Sequence, residues 1–340
     1  MKKELSIIIP CYNVEKYIRR CIDSLAAQSY PIELTEWILI DDASTDSTWQ
    51  IITDLEKAYP DTIIAIHCTR NGRQGQARNI GLEYASGTYV GYVDSDDWVE
   101  PDMYSIMVNE IKHSDSELVF CRFYRDDGRH HLTHQLDGSI QQYKIANDDE
   151  RNTLIVSNIL GYSVWDKIYR RDFLNKNNIS FPIGLAYEDI YFSSQYYLYV
   201  EHFSVINYEL YHYFVNSNST VLCNNASYHY DMLEIIRRRI DFYLELGALH
   251  QFRNALTVDL FLSGYVAVYK IMFLRFDTVP YDMYLQLQEL YRNNNILPNI
   301  KCTEAQVIPD KYEYIYELIP LSLSETQLND MAPAFRKIFT

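Results

Sequence analysis

Leu5-Ser6-Ile7-Ile8-Ile9-Pro10 and, beyond one helix's worth of chain, Glu36-Trp37-Ile38-Leu39-Ile40 decide the architecture. Each is a short, largely apolar run rich in branched side chains, which is how a strand buried on both faces reads. Between them Ile18, Cys21, Ile22 and Leu25 recur at the spacing of one helical face. The alternation continues outward. Ile51, Leu55 and Ala58 mark a second helix and 62–67 a third strand; Ala77, Ile80, Gly81 and Tyr84 mark a third helix and 88–93 a fourth strand. Pro101 is well placed to open the next helix, with Met103, Ile106, Met107 and Ile111 on its face, and 117–121 reads as a fifth strand. Such alternation predicts an α/β, Rossmann-like fold, a mostly parallel sheet with helices on both faces. Ligands of these sheets bind beyond the carboxyl ends of the strands. Chemistry is therefore expected in the loops Pro10–Asn13, Asp41–Asp46, Arg70–Gly75 and Asp94–Asp97.

Further along, 125–150 turns polar and His-rich and reads as an excursion or loop. His130, His131 and His134 lack a partner at metal spacing there, so solvent exposure is expected. Aromatic and apolar residues return over 165–199, and from about Ser227 the pattern is helical, giving a C-terminal helical region over 225–340. No internal repeat is visible.

The 46 acidic against 30 basic residues, a net charge of −16, argue against a nucleic-acid partner, which needs a basic face. An acidic protein can still bind a phosphate through a bridging divalent cation. Six cysteines without a C-x-x-C pair read as reduced core thiols of a cytosolic chain. The N-terminal apolar run is too short for a signal peptide, and Leu260–Tyr269 is too short to span a bilayer. The 31 tyrosines suit wet, half-buried surfaces, a sugar-binding face among them, or ordinary core and rim positions.

Asp94-Ser95-Asp96-Asp97 follows the fourth strand. If the strand's alternation carries through, Asp94 and Asp96 converge, and converging carboxylates repel unless a cation lies between them. Mg2+ or Mn2+, held by one or two carboxylates and substrate phosphates, is the natural occupant. The same residues also read as a solvated loop before a helix. Asp41 and Asp42 end the second strand in the same position and can accept hydrogen bonds from a base N–H or a ribose hydroxyl. Equally, Ser44, Thr45 or Asp46 can cap the helix that follows. Tyr12 offers a ring for a base to stack on, or is a surface aromatic. Arg78 contacts a diphosphate, or is a solvated helix arginine.

Read together, Ser6-Ile7-Ile8-Ile9-Pro10-Cys11-Tyr12-Asn13, Ile40-Asp41-Asp42-Ala43-Ser44-Thr45-Asp46, Asn71-Gly72 with Ala77-Arg78-Asn79, and Val93-Asp94-Ser95-Asp96-Asp97 resemble the successive motifs of family 2 glycosyltransferases with the GT-A fold. Trp165-Asp166-Lys167-Ile168-Tyr169-Arg170 and Tyr187-Glu188-Asp189 resemble that family's acceptor-side motifs, and the resemblance covers about residues 4–215. It implies a catalytic domain over 1–220, with a nucleotide-binding half (1–121) and an acceptor half (122–220). The implied activity is an inverting hexosyl or N-acetylhexosaminyl transfer from a nucleotide-sugar donor, most often a UDP-sugar. The acceptor would be a hydroxyl of a glycan or lipid-linked molecule in bacterial surface polysaccharide synthesis. Mn2+ or Mg2+ is the implied cofactor. By position, Pro10, Tyr12 and Asp42, with Asp41 beside them, would hold the nucleoside. Asn71 and Arg78 would line the nucleotide, and Asp94, with Ser95 next to it, would face ribose or metal. Asp96 would ligate the metal with Asp94, and Asp189 would be the general base. The chain departs from the family at Asp166, where Asn is frequent, and at Ala43, where Gly is usual; Ala there asks for a loop without positive φ.

Asp189 precedes Ile190-Tyr191-Phe192 near an expected helix start, whose positive end favours the ionised carboxylate, while desolvation raises its basicity. Taken without the resemblance, Glu188 and Asp189 read as first-turn helix acids. His212 lies in an aromatic run and is read as structural, outside the site. Arg237-Arg238-Arg239 is a helix face or a weak contact for anionic lipid. The implied location is cytoplasmic, with peripheral contact to the inner face of the membrane left open. Two other readings compete: a nucleotidyltransferase, which would show a Gly-rich basic loop where Pro10-Cys11-Tyr12-Asn13 stands, and a non-catalytic nucleotide-sugar or carbohydrate binder.

Overall fold

Alternating strands and helices build the first half of the chain in the expected order: β1 (Leu5–Cys11), α1 (Ile18–Ala26), β2 (Thr35–Asp41), α2 (Thr48–Ala58), β3 (Ile63–His67), α3 (Arg73–Tyr84) and β4 (Tyr89–Tyr92). The structure is a computed structural model that describes residues 2–126, 137–215, 222–294, 296 and 309–339. His130, His131, His134 and Cys302 lie outside the described residues. There follow β5 (Trp98–Val99), α4 (Met103–Ser114), β6 (Leu118–Asp126), β7 (Ile140–Lys144), α5 (Asp148–Ser157), β8 (Lys167–Arg170), α6 (Arg171–Lys176), α7 (Glu188–Tyr199) and β9 (His202–Phe214).

The chain divides into two units, Met1–Ala146 with Tyr162–Asn216, and Asn147–Gly161 with Ser217–Thr340. In the first, the strands form one sheet in the order β3-β2-β1-β4-β8-β6-β9-β5, with β7 paired to β9. β3, β2, β1 and β4 are parallel throughout. Beyond β4 the sheet is mixed: β8 is antiparallel to β4 and β6, while β6 and β9 run parallel. Every residue of β1 and β2 is buried, so both faces are covered. On one face Ile7, Ile9, Trp37 and Leu39 join a core with Ile22, Met107 and Ile111. On the other, Tyr92 meets an aromatic cluster of Tyr169, Phe181 and Phe192. Tyr92, Tyr104, Tyr169 and Tyr196 are fully buried, so a large share of the tyrosine content is core.

Several details differ from the sequence pattern, each for a local reason. A proline would be expected to end a strand, yet β1 runs on through Pro10, opposite Ile40, to Cys11. β4 stops pairing at Tyr92, opposite Ile8, so there is no strand beside Pro10 on that edge to miss its absent N–H. The expected stripe on α3 is only half right: Tyr84 is exposed, and the buried face is Gly75, Ala77, Arg78 and Gly81. Within 125–150, β6 extends to Asp126 and α5 begins at Asp148. β7 there lies at the sheet edge with four of its five residues exposed, which is why it reads as a polar loop.

Gly81 seats α3. A Cβ there would lie 2.4 Å from Ile8 Cγ2 and 3.0 Å from Ile40 Cδ1. The helix thus rests directly on β1 and β2.

The second unit is helical as expected: α5 with α8 (Asp231–Glu245), α9 (Ala248–Gln251), α10 (Arg253–Leu260), α11 (Val266–Arg275), α12 (Tyr281–Asn293), α13 (Asp310–Leu318) and α14 (Glu325–Phe339). α10 and α11 are joined by a π-turn, Phe261–Tyr265, into one helix. It is longer than the apolar stretch seen in the sequence. Among the described residues Arg253–Arg275 is the one helix long and apolar enough to cross a membrane, and most of it is buried inside the protein. Its Asp259 is paired with the fully buried Arg239 of α8. Arg237 and Arg238 are paired with Glu234 and Asp241. The triple-arginine run is therefore not a basic face: one member is core and two are engaged by acids of their own helix.

Gly81→Ala is expected to destabilise the protein by about 1–3 kcal/mol, the usual range for overpacking. A urea midpoint equal to that of the wild type would show that α3 does not sit as close as Gly81 permits.

Candidate active site

The loops after β1, β2 and β3 are laced together at the carboxyl end of the parallel strands. Asn13 Oδ1 accepts from the Thr45 N–H at 2.8 Å, and the Asn13 N–H donates to Ser44 Oγ at 3.0 Å. Asp42 Oδ1 accepts from the Gly72 N–H at 2.8 Å, and Asn71 Nδ2 donates to the Asp42 carbonyl at 3.2 Å. Burial pushes the Asp42 carboxyl above its ordinary value, against the hydrogen bonds from Gly72 and Arg73. Tyr12 is half exposed above this lattice, while Pro10 is buried beneath it. Asp41 faces inward: it is fully buried, with Oδ2 2.7 Å from Nδ1 of His67, whose ring lies against Trp49.

Ala43 has a φ of 60°, so the expectation of a loop without positive φ is overturned. Asn13, Arg73 and Tyr187 share that left-handed region, at the same loops and at the start of α7. A non-glycine residue held there costs about 1–2 kcal/mol, and the surrounding hydrogen bonds hold the loop in place regardless.

Asp94, Ser95, Asp96 and Asp97 form a tight turn closed by the Asp97 N–H on the Asp94 carbonyl at 3.0 Å. β4 has ended at Tyr92, so Asp94 and Asp96 come from a turn and not from alternate strand positions. Asp94 Oδ1 accepts from Arg78 Nη2 at 2.7 Å. Ser95 is buried, its hydroxyl engaged with the Cys11 thiol. Asp97 is buried as well: Oδ2 accepts from the Tyr211 hydroxyl at 2.6 Å and Oδ1 from the Phe214 N–H at 2.7 Å. Burial, then Asp94 and Asp96, push its carboxyl well above the usual range.

Arg78 is the cation bonded to Asp94 in this turn. It is 2% exposed, and its second branch, Nη1, donates to Glu188 Oε1 at 2.5 Å. Burial alone would lower its pKa; Asp94 and Glu188 more than offset this and hold it above the ordinary value. Gly75 makes the contact reachable, because a Cβ there would lie 2.4 Å from the Pro182 carbonyl and 3.4 Å from Glu188 Cβ. Asp189, next to Glu188 in the first turn of α7, accepts from the Ile190 N–H at 2.9 Å. Burial and then Glu188 raise its carboxyl to about 7, against the pull of Arg78.

The structure thus joins Asp94 through Arg78 to Glu188, the neighbour of Asp189 in the acceptor-side motif, to which the sequence reading gave no role of its own. Asp97, Tyr211 and His67 were likewise not legible: Asp97 is indistinguishable from its neighbours in the motif, and nothing marks Tyr211 in an aromatic strand. His212 Nε2 is 2.7 Å from Glu100 Oε1, and its ring is stacked against Trp98 and Tyr124. Asp166 is bonded to Ser163 Oγ and to Nζ of the fully buried Lys167, each at 2.7 Å. Among the described residues no three or more His, Cys, Asp or Glu are grouped to hold a metal ion. Asp94 and Asp96 would supply only part of a shell. Oxygen donors in that number suit Mg2+ or Mn2+, which complete their shells with phosphate oxygens and water.

A mixed sheet of this topology, with helices on both faces and carboxylates at the rim of its parallel strands, has the GT-A architecture. Residues 6–177 match the family described as glycosyl transferase family 2, and the chain belongs to it. It is similar to EpsJ of Bacillus subtilis (strain 168), an uncharacterized glycosyltransferase, at 32% identity over 218 residues, which cover 63% of this chain and 62% of EpsJ. With the putative glycosyltransferase EpsH of the same organism it shares 28% identity over 272 residues, 78% of this chain and 76% of EpsH. The match to EpsJ thus spans less than two thirds of that relative's length. The fold is that of the crystal structure of S. aureus TarS 1-349 in complex with UDP-GlcNAc, with a TM-score of 0.72 at 22% identity over 98% of this chain and 92% of that one.

Replacing Arg78 by Met leaves Asp94 and Glu188 without their shared cation. The expected loss is about 3–5 kcal/mol of stability, as for other broken buried pairs. A urea midpoint at neutral pH close to that of the wild type would contradict the pairing.

Proposed function

We propose that this chain is an inverting glycosyltransferase that moves a hexosyl or N-acetylhexosaminyl group from a UDP-sugar to a hydroxyl of a glycan or lipid-linked acceptor in bacterial surface polysaccharide synthesis. The observation that carries the reading is the chain of contacts from the Asp94–Asp97 turn through Arg78 and Glu188 to Asp189. It brings the turn read here as the cation site and a carboxyl raised to about 7 into one frame. A fold neighbour solved with UDP-GlcNAc supports a uridine diphosphate donor.

In this reading the nucleoside lies over the lattice of Tyr12, Asn71 and Asp42, with Pro10 and Asp41 forming its floor. Ser95 holds the base of the metal turn. Asp94 and Asp96 would hold Mn2+ or Mg2+, which when bound supplies Lewis-acid stabilisation to the departing diphosphate. Asp189 takes the proton of the acceptor hydroxyl as that oxygen attacks the anomeric carbon from the face opposite the diphosphate, so the configuration inverts. A carboxyl at about 7 is matched to this role, being half ionised near neutral pH and more basic than an exposed aspartate. Arg78 holds Glu188 and Asp94 and thereby the spacing of base and donor. The reaction belongs on the cytoplasmic side, with peripheral membrane contact where the acceptor is lipid-linked.

Asp189→Asn is expected to leave UDP affinity near wild type and to cut transfer by ~10²-fold or more. The base works deprotonated, so wild-type transfer should fall as pH drops through about 7. In D189N that acidic limb should vanish. Normal transfer by this variant would place the base elsewhere. A screen of UDP-sugars for donor hydrolysis, with Mn2+ and then with excess EDTA, tests the cofactor. The expected result is turnover that chelation abolishes and Mn2+ restores. Binding of UDP without any turnover would favour a non-catalytic binder.

A further inference from the structure

The Asp94–Asp97 turn makes few bonds of its own. β4 stops at Tyr92 before it, and β5 after it is two residues long. Besides the Arg78 bond to Asp94, two other elements anchor it. From β9, the Tyr211 hydroxyl donates to Asp97 Oδ2 at 2.6 Å and accepts from the Asp94 N–H at 3.1 Å, and the Phe214 N–H donates to Asp97 Oδ1 at 2.7 Å. One hydroxyl thus binds both ends of the turn. The Tyr211 ring is itself fixed, stacked on Trp165 at 4.4 Å and 0% exposed. β6 carries register shifts against β9 at Cys121/Arg122 and Arg122/Phe123, a bulge of the kind that re-aims side chains beside active sites.

From α1, Arg20 Nη2 donates to the Asp96 carbonyl at 2.6 Å. Its guanidinium lies 3.9 Å from the centroid of Trp98 and 4.7 Å from that of Phe214. The planar group is held by two rings while it holds the turn, a geometry a lysine does not reproduce.

We propose that Tyr211 and Arg20 are positioning residues for the cation of the donor complex: they fix the backbone of the Asp94–Asp97 turn from either side, so that the carboxylates of Asp94 and Asp96 are presented to the ion at a set separation. This rests on the proposed function only in requiring that the turn bind a divalent cation. Partners of this kind, one shell behind the ligands, are worth about 10- to 100-fold in metal affinity. Tyr211 is argued from its two bonds to the turn and Arg20 from one, so the larger effect belongs to Tyr211.

The test is Mn2+ binding by the full chain in the presence of UDP, followed by loss of the free-ion electron paramagnetic resonance signal, with thermal unfolding beside it. Y211F keeps the ring on Trp165 and loses the hydroxyl. It is expected to bind Mn2+ at least about 10-fold more weakly while unfolding as one cooperative transition. R20K keeps the charge, so any change reports geometry; a weakening of about fivefold is expected, one hydrogen bond's worth. Wild-type Mn2+ affinity in a folded Y211F overturns the role of Tyr211, and in R20K that of Arg20. Should Y211F fail to fold, R20K carries the test: weakening upholds the Arg20 contact as positioning the turn, and wild-type affinity overturns the proposal. A wild-type protein that takes up no Mn2+ with UDP fails at the earlier step, the proposed function itself.

Discussion

A single buried guanidinium organises this site. Arg78 stands between Asp94 and Glu188 with both branches engaged, at 2.7 and 2.5 Å. An arginine out of water is tolerated only when its charge is matched, and here each Nη finds a carboxylate. Meeting that demand ties the turn after β4 to the first turn of α7. The residue that follows Glu188 is the proposed base, and those of the turn are the proposed cation ligands. The whole arrangement depends on α3 lying close both to the sheet and to the segment before α7. Gly81 and Gly75 supply the closeness, since a Cβ at either would lie 2.4 Å from a neighbouring atom.

Negative charge sets the chemistry. Asp94, Asp96 and Asp97 crowd the turn after β4, and Glu188 and Asp189 the start of α7, with Arg78 bonded to Asp94 and Glu188, in a chain whose net charge is −16. The protein relieves part of this by burial, which raises Asp97 and Asp189. In the proposed function a divalent ion arriving with a diphosphate would relieve the rest, so that an acidic site could hold a nucleotide. In the family reading, the same burial that makes Asp189 a weaker acid makes it a better base.

Much of the fold was legible because its strands are buried on both faces and so read as unbroken apolar runs, as Leu5–Ile9 and Glu36–Ile40 do. The motifs at the strand ends were legible in position, since chemistry in such sheets collects there. What escaped were relations across sequence distance. Arg78 was visible as a cation but not as the partner of a residue 110 positions away. Small residues on α3 gave no apolar stripe, although their smallness is what brings the helix down onto the sheet. β7 was hidden because an edge strand open to water carries polar side chains. Ala43 shows the limit of reasoning from residue preference: the loop's hydrogen bonds hold it at positive φ although alanine disfavours that region.

The central claim, that the rim of the parallel strands binds a cation and a diphosphate together, is tested most directly by a crystal structure of the protein with Mn2+ and UDP. The account predicts Mn2+ density at the Asp94 and Asp96 carboxylates, bridged to both phosphates, with the uracil over Tyr12 and Asp42. UDP bound away from that turn, or the turn free of metal beside an ordered UDP, would contradict it.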